Sequence, residues 1–179
     1  KKATSFRELS KFLKHNRIPH ELSARIRNYV ENRVAQQSKR KQEGSVELLS
    51  LLSESLSVDL AWALRGHYLT IHPLFHVLAD IASITMKRLT FNGISFLSLA
   101  PRDVVFTTGD QATHMSIVSN GELTYEREEP FAQSVEPVFA IDHIIAEPVL
   151  WIVSWMHVGE MRAKTPAEML LLSPQTLAT

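Results

Sequence analysis

The feature that most constrains the fold is a series of short apolar runs, separated by tight turns, within residues 103–163. Runs at 115–118 and 122–125 flank the pair Asn120-Gly121, and an earlier turn contains Gly109. Asn and Gly together are the strongest local signal for a tight turn, because both tolerate the positive φ that a primed turn requires. The spacing therefore predicts antiparallel strands joined as β-hairpins.

Composition limits what can surround these strands. The chain has 179 residues, of which 45% are hydrophobic, so it can form one folded core or one domain with an extension. Its formal net charge of zero gives no reason to expect a nucleic-acid partner. The absence of cysteine excludes disulfides, thiol catalysis and cysteine-type zinc sites. The longest apolar runs are too short to span a membrane, and the start, Lys1-Lys2-Ala3-Thr4, is unlike a signal peptide. We expect a piece of a larger protein.

The first third of the chain has helical periodicity. An amphipathic helix is predicted near the N-terminus, and Pro19 marks the start of a second, longer one. A polar break is predicted over residues 38–44, where the basic run at 39–41 is interpreted as solvated loop rather than as a targeting or lipid-binding patch. Ser57 is predicted to cap a further helix that stops at Gly66.

A known family has this order of elements. The strand region is followed by a short acidic segment at 144–151 and by a strand-like stretch at 157–163. Hairpin roll, acidic short helix and final strand together resemble the cyclic-nucleotide-binding domain, of the kind that forms the cytoplasmic tail of tetrameric cation channels. The likeness extends backwards, since Ile18-Pro19, the leucine-rich stretch at 48–52 and His72-Pro73-Leu74-Phe75 resemble the C-linker of such channels.

The resemblance implies an α+β fold. It predicts a helical C-linker-like region over 1–72, followed over 73–179 by an antiparallel β-roll (a double-stranded β-helix, jelly-roll-like) with a short phosphate-cassette helix. The C-terminal lid helices of the family are expected to be truncated here, because only a few residues follow the last predicted strand.

The resemblance also implies a nucleotide pocket. Its positions are Ala146, Glu147, Val149, Leu150, His157, Val158, Gly159 and Glu160. In the family a Gly-Glu pair holds the phosphate and the ribose, and an Arg neutralises the phosphate. Here Ala146-Glu147 stands for the pair, His157 falls at the Arg position and Glu160 at a Ser or Thr position. A titrating imidazole and an added carboxylate both oppose an anion, so cAMP and cGMP are expected to bind weakly and no cofactor is predicted.

These implications predict a function. The chain is expected to be the cytoplasmic gating module of a cation channel, with potassium as the expected ion, at the cytoplasmic face of a membrane. Its partners would be its own pore domain and sister subunits, in a homotetramer formed through the helical region. The alternative is a soluble cAMP or cGMP receptor, or a domain like a kinase regulatory subunit, that binds nucleotide atypically. Six hydrophobic segments upstream, one of them Arg-rich, would favour the channel.

Other chemistries are less well supported by the sequence. His72 and His76 are four residues apart, but Pro73 intervenes and no third ligand has suitable spacing, so no metal site is predicted. Trp151 and Trp155 are interpreted as core residues rather than a base-stacking platform. No Gly-x-Ser-x-Gly elbow occurs, no catalytic residue is identified, and an enzyme is not expected.

Overall fold

A computed structural model describes residues 2–44, 47–129, 132–139 and 143–177. Five α-helices precede eight β-strands in the described chain, with three short 3-10 helices at Glu47–Leu51, Glu147–Leu150 and Pro174–Leu177. The helices are α1 Lys2–His15, α2 His20–Gly44, α3 Glu54–Leu69, α4 Pro73–Ile81 and α5 Ser83–Asn92. The strands are β1 Ile94–Leu99, β2 Val104–Phe106, β3 Met115–Asn120, β4 Glu122–Glu129, β5 Ala132–Phe139, β6 Ile144–Ile145, β7 Glu160–Ala163 and β8 Ala167–Leu172.

The strands form two four-stranded sheets, in the orders β1-β8-β3-β6 and β2-β7-β4-β5. Every pairing between these strands is antiparallel. Helices followed by antiparallel sheets confirm the predicted α+β β-roll class. The predicted boundary between residues 72 and 73 stays a prediction.

The predicted hairpins require a correction. β3 and β4 flank Gly121 in sequence, yet they belong to different sheets, so this turn is a corner between sheets rather than a hairpin end. Gly121 has φ of 88°, and a Cβ there would lie 2.5 Å from the carbonyl oxygen of Pro166. The glycine is thus required both by its backbone conformation and by the close approach of the neighbouring chain. The turn at Gly109 likewise joins β2 and β3, which lie in different sheets.

Two apolar clusters hold the molecule together. One joins the helices to the first sheet, through buried residues that include Leu69, Phe75 and Met115. The other fills the space between the two sheets and includes Val118, Leu123 and Met169, each fully buried. At about 1.5–3 kcal/mol for each large side chain removed from water, these clusters are the main source of stability.

Three predictions about helix boundaries were wrong, namely the break at 38–44, the cap at Ser57 and the stop at Gly66. The predicted break at 38–44 is helical, because α2 continues to Gly44. Helix α3 begins at Glu54 with Ser53 as its cap, whose side-chain oxygen accepts from the backbone N–H of Leu56. The same helix passes through Gly66 to Leu69, and Gly66 lies against the indole of Trp62, where a Cβ would come within 2.7 Å. Gly66 is therefore a packing position, not a stop signal.

Helix α2 contacts the β-roll through polar side chains. The Arg25 guanidinium lies 3.5 Å from the Asp103 carboxylate and donates to the carbonyl of Pro101 at 3.3 Å. Glu21 pairs with Arg102, which has a positive φ of 71°. Asp103 also accepts from the backbone N–H of Ala100 at 2.7 Å, so the turn that receives α2 is held by its own hydrogen bond. No described helix has the length and apolar character needed to cross a membrane.

Candidate functional site

A cavity of about 270 Å³ opens between the two sheets, beside the 147–150 helix. It is bounded by strands of both sheets and by the segment that leads into β7. The residues that line it are Phe106, Tyr125, Glu136, Val138, His143, Ile144, Ile145, Ala146, Pro148, Trp155, Met156, His157, Val158 and Met161. Apolar and aromatic side chains dominate this wall, as is usual for small-molecule sites.

Ala146 connects β6 to the 147–150 helix in a left-handed conformation, with φ of 56° and ψ of 34°. Its carbonyl accepts from the backbone N–H of Val149 at 3.1 Å, which closes the first turn of the helix. A non-glycine residue in this conformation carries a steric cost, because its Cβ crowds the backbone. Pro148 has no N–H to offer a ligand. The turn thus has the shape that a Gly-Glu pair would form, but an alanine makes it.

The Glu147 carboxylate is bound to a buried histidine rather than turned to the cavity. Its Oε1 lies 3.0 Å from Nε2 of His72, whose side chain is 8% exposed. Nδ1 of His72 accepts from the backbone N–H of Leu74 at 3.2 Å and caps α4. Because Nδ1 is an acceptor, a neutral ring carries its hydrogen on Nε2, the nitrogen that faces the Glu147 carboxylate. The predicted ribose acceptor is therefore linked to the start of α4.

His157 lies in the cavity wall and stacks on Phe106, with ring centroids 3.6 Å apart and planes 6° from parallel. Its backbone N–H donates to the carbonyl of Asp110, and its carbonyl accepts from Gly109. Burial lowers the pKa of His157 below its ordinary value, and the nearby Asp110 carboxylate offsets this only in part. The imidazole is consequently neutral at neutral pH and supplies no fixed positive charge.

The structure brings only part of the predicted site together. Ala146, His157 and Val158 line the cavity. Val149 is buried in the core, and Leu150 packs against that core. Gly159 lies against β4, where a Cβ would be 2.5 Å from the Glu126 carbonyl oxygen.

Glu160 is placed on the outer face of its sheet. In β7 the side chains of Met161 and Ala163 are buried, whereas Glu160 binds the exposed Arg162 through a hydrogen bond of 2.9 Å from Nε. Because successive strand residues point to opposite faces, Glu160 and Arg162 share the face away from Met161, which lines the cavity. The expected repulsion between Glu160 and a bound phosphate therefore has no support in this geometry.

Sequence reasoning missed the aromatic wall of the cavity. Phe106, Tyr125 and Met161 come from three different strands of one sheet, and Trp155 precedes the last of them. Trp155 also packs partly against the core, as predicted, whereas the same prediction was wrong for Trp151, which is 54% exposed. The available signal was the alternation in 160–163, which places Met161 inward. No sequence signal showed that these strands would be neighbours.

No lysine or arginine is among the described residues that line the cavity, and the ionisable groups among them are Tyr125, Glu136, His143 and His157. The described lining thus lacks the permanent cation with which proteins usually hold a phosphate. Within the described chain, no group of three or more His, Asp or Glu side chains is placed to bind a metal ion.

Comparison with known proteins supports the fold. The N-terminal domain of a transcriptional regulator from Streptomyces coelicolor is similar with a TM-score of 0.50, at 24% identity over 62% of this chain and 74% of that one. The sensor domain of the transcriptional regulator DNR from Pseudomonas aeruginosa is similar with a TM-score of 0.51, at 16% identity over 67% and 77%. A cyclic nucleotide-binding-like protein from Brucella abortus has a TM-score of 0.48, at 19% identity over 57% and 86%. No family model and no curated protein sequence matches the chain.

Proposed function

We propose that this chain is a regulatory domain that passes the state of its cavity to the helices before it. The observation that carries the proposal is the 3.0 Å contact between Oε1 of Glu147 and Nε2 of the buried His72. Ala146 and Pro148, on either side of Glu147, line the cavity, while His72 caps α4. A molecule that displaces the 147–150 helix would also change the partner of His72 and thereby the first turn of α4.

The specific setting that we propose is the cytoplasmic gating module of a cation channel. The helical region before the roll and the likeness of its sequence to a C-linker support this setting. Helix α2 docks on the roll through ion pairs and hydrogen bonds, which are weak at a surface and can exchange with water. Such a contact suits a helix that moves relative to the roll.

A soluble receptor is the second candidate. It is favoured by similarity to the sensor domain and the N-terminal domain of two transcriptional regulators. In that setting the helices would dock on another protein or another domain instead of a pore. The link between Glu147 and His72 serves either setting, because both need a path from the cavity to the helices.

Amide hydrogen exchange tests the link. In Glu147→Ala, His72 loses its contact with Glu147, which loosens the hydrogen bond that the Leu74 N–H donates to His72. Since one hydrogen bond is worth about 0.5–1.5 kcal/mol, we expect the amides of Leu74 and Phe75 to exchange roughly two- to tenfold faster. Glu147→Gln keeps an acceptor oxygen and should restore most of the protection. Glu160→Ala removes a carboxylate of the outer face and is the matched control, with no change expected at α4. Unchanged exchange at α4 in Glu147→Ala would refute the proposed coupling.

A further inference from the structure

The charges of the cavity wall indicate which class of ligand it can bind. The described lining contains no lysine or arginine, and burial keeps His157 neutral at neutral pH. Among the described lining residues Glu136 is the one carboxylate, and it is exposed, so water screens it. A bound anion would lose its hydration without gaining a cation in return, which is costly. The cavity therefore favours a molecule without a negative charge.

The shape of the cavity and its aromatic side chains indicate the class of ligand further. The rings of Phe106 and His157 lie nearly parallel, and Tyr125 and Trp155 add two further rings. Val138 and Met161 complete an apolar surface between them. Aromatic walls favour flat, aromatic partners, because offset stacking and edge contacts add to the burial of apolar area. The volume of about 270 Å³ lies just below the range of about 300–1,000 Å³ typical of drug-sized ligands.

We propose that this cavity is a binding site for a small, neutral, planar aromatic molecule of one or two fused rings, and that it discriminates against phosphorylated forms of such molecules. This inference rests on the proposed regulatory function, for which it names the class of ligand. It differs from the expectation of weak nucleotide binding, because it assigns the cavity a preferred occupant and a basis for selectivity.

The methionines provide a built-in reporter of the site. The chain has five of them, and Met156 and Met161 line the cavity. Met86 and Met115 are almost completely buried in the cluster between the helices and the first sheet. With methyl-labelled methionine, an aromatic ligand in the cavity should shift the signals of Met156 and Met161 through its ring current. The signals of Met86 and Met115 should stay in place.

The test compares two probes with the same ring system, 2-naphthol, which is neutral at neutral pH, and 2-naphthyl phosphate, which is an anion. We expect wild type to bind 2-naphthol at least about tenfold more tightly, with shifts at Met156 and Met161. In His157→Arg, binding of the phosphate should improve roughly ten- to a hundredfold, the range for one charge-assisted hydrogen bond. His76→Arg adds the same charge at an exposed position of α4, outside the cavity, and should change neither affinity.

Each contrary result overturns the proposal. It fails if wild type binds the phosphate as tightly as the naphthol, if neither probe binds at millimolar concentration, or if the shifts occur at Met86 and Met115. The wild-type comparison needs no variant, so a folding defect in His157→Arg cannot obscure the result. The measurement of amide hydrogen exchange at α4 in Glu147→Ala needs neither of the two ligand probes. Failure of the ligand class and failure of the regulatory link are therefore separate outcomes.

Discussion

Ala146 is one of four described non-glycine residues with a positive φ. Its left-handed conformation costs an alanine about 1 kcal/mol more than a glycine. We expect Ala146→Gly to stabilise the protein by about 0.5–1 kcal/mol in denaturant unfolding. Ala163→Gly is the control: Ala163 is buried in β7, where glycine brings an entropic cost and removes a buried methyl group, so this variant should lose about 1 kcal/mol or more. A loss of stability in Ala146→Gly would contradict this explanation of the turn.

His157 and Glu160 have separate effects because their side chains occupy different faces of the molecule. For cAMP and cGMP, we expect wild-type dissociation constants above about 10 μM, since the cavity lacks a cation. His157→Arg should strengthen binding roughly ten- to a hundredfold, or about 1.5–3 kcal/mol. Adding Glu160→Thr should give no further gain, because that carboxylate lies on the outer face with Arg162. Calorimetry on the single and double variants measures these dissociation constants. A further gain from Glu160→Thr would contradict the outer-face position, because it would mean that the Glu160 side chain faces the cavity when nucleotide binds.

At the scale of elements, local sequence predicted the kind of structure better than its pairing. Turn chemistry around Gly121 identifies strands, but whether the chain folds back or crosses to a second sheet depends on which distant strands β3 and β4 pair with. The alternation of Glu160-Met161-Arg162-Ala163 was enough to predict the outward position of Glu160, yet motif alignment overrode it. The polar content of 38–44 suggested a loop, although Lys, Arg, Gln and Glu are all good helix formers.

For the cavity, too, local sequence did not predict which strands become neighbours. Ala146, His157 and Val158 were found because a family motif places them within thirteen residues of one another. Phe106 and Tyr125 could not be found in that way, since they become neighbours of His157 only when β2, β7 and β4 pair in one sheet. The contact between Glu147 and His72 is also non-local, and it joins two segments that sequence reasoning assigned to different regions. Short motifs thus predict the position of a site better than its chemistry.

For the whole molecule, the N-terminal helices leave apolar side chains uncovered. Phe12 is 63% exposed on α1 and Leu22 is 43% exposed on α2, while the contacts of α2 with the roll are polar. We expect copies of the chain to associate through this surface, as a tetramer at high concentration and as a monomer on dilution. Sedimentation velocity over a wide concentration range tests this.

Burying one phenylalanine is worth about 1.5–3 kcal/mol, so Phe12→Ser should weaken association at least about tenfold. Ile84→Ser is the matched control, because Ile84 is 70% exposed on α5, outside the N-terminal helices. Two results would contradict assembly through the N-terminal helices: a chain that stays monomeric to roughly millimolar concentration, or association that is weakened by Ile84→Ser and not by Phe12→Ser. Either result would favour the soluble receptor over the channel module.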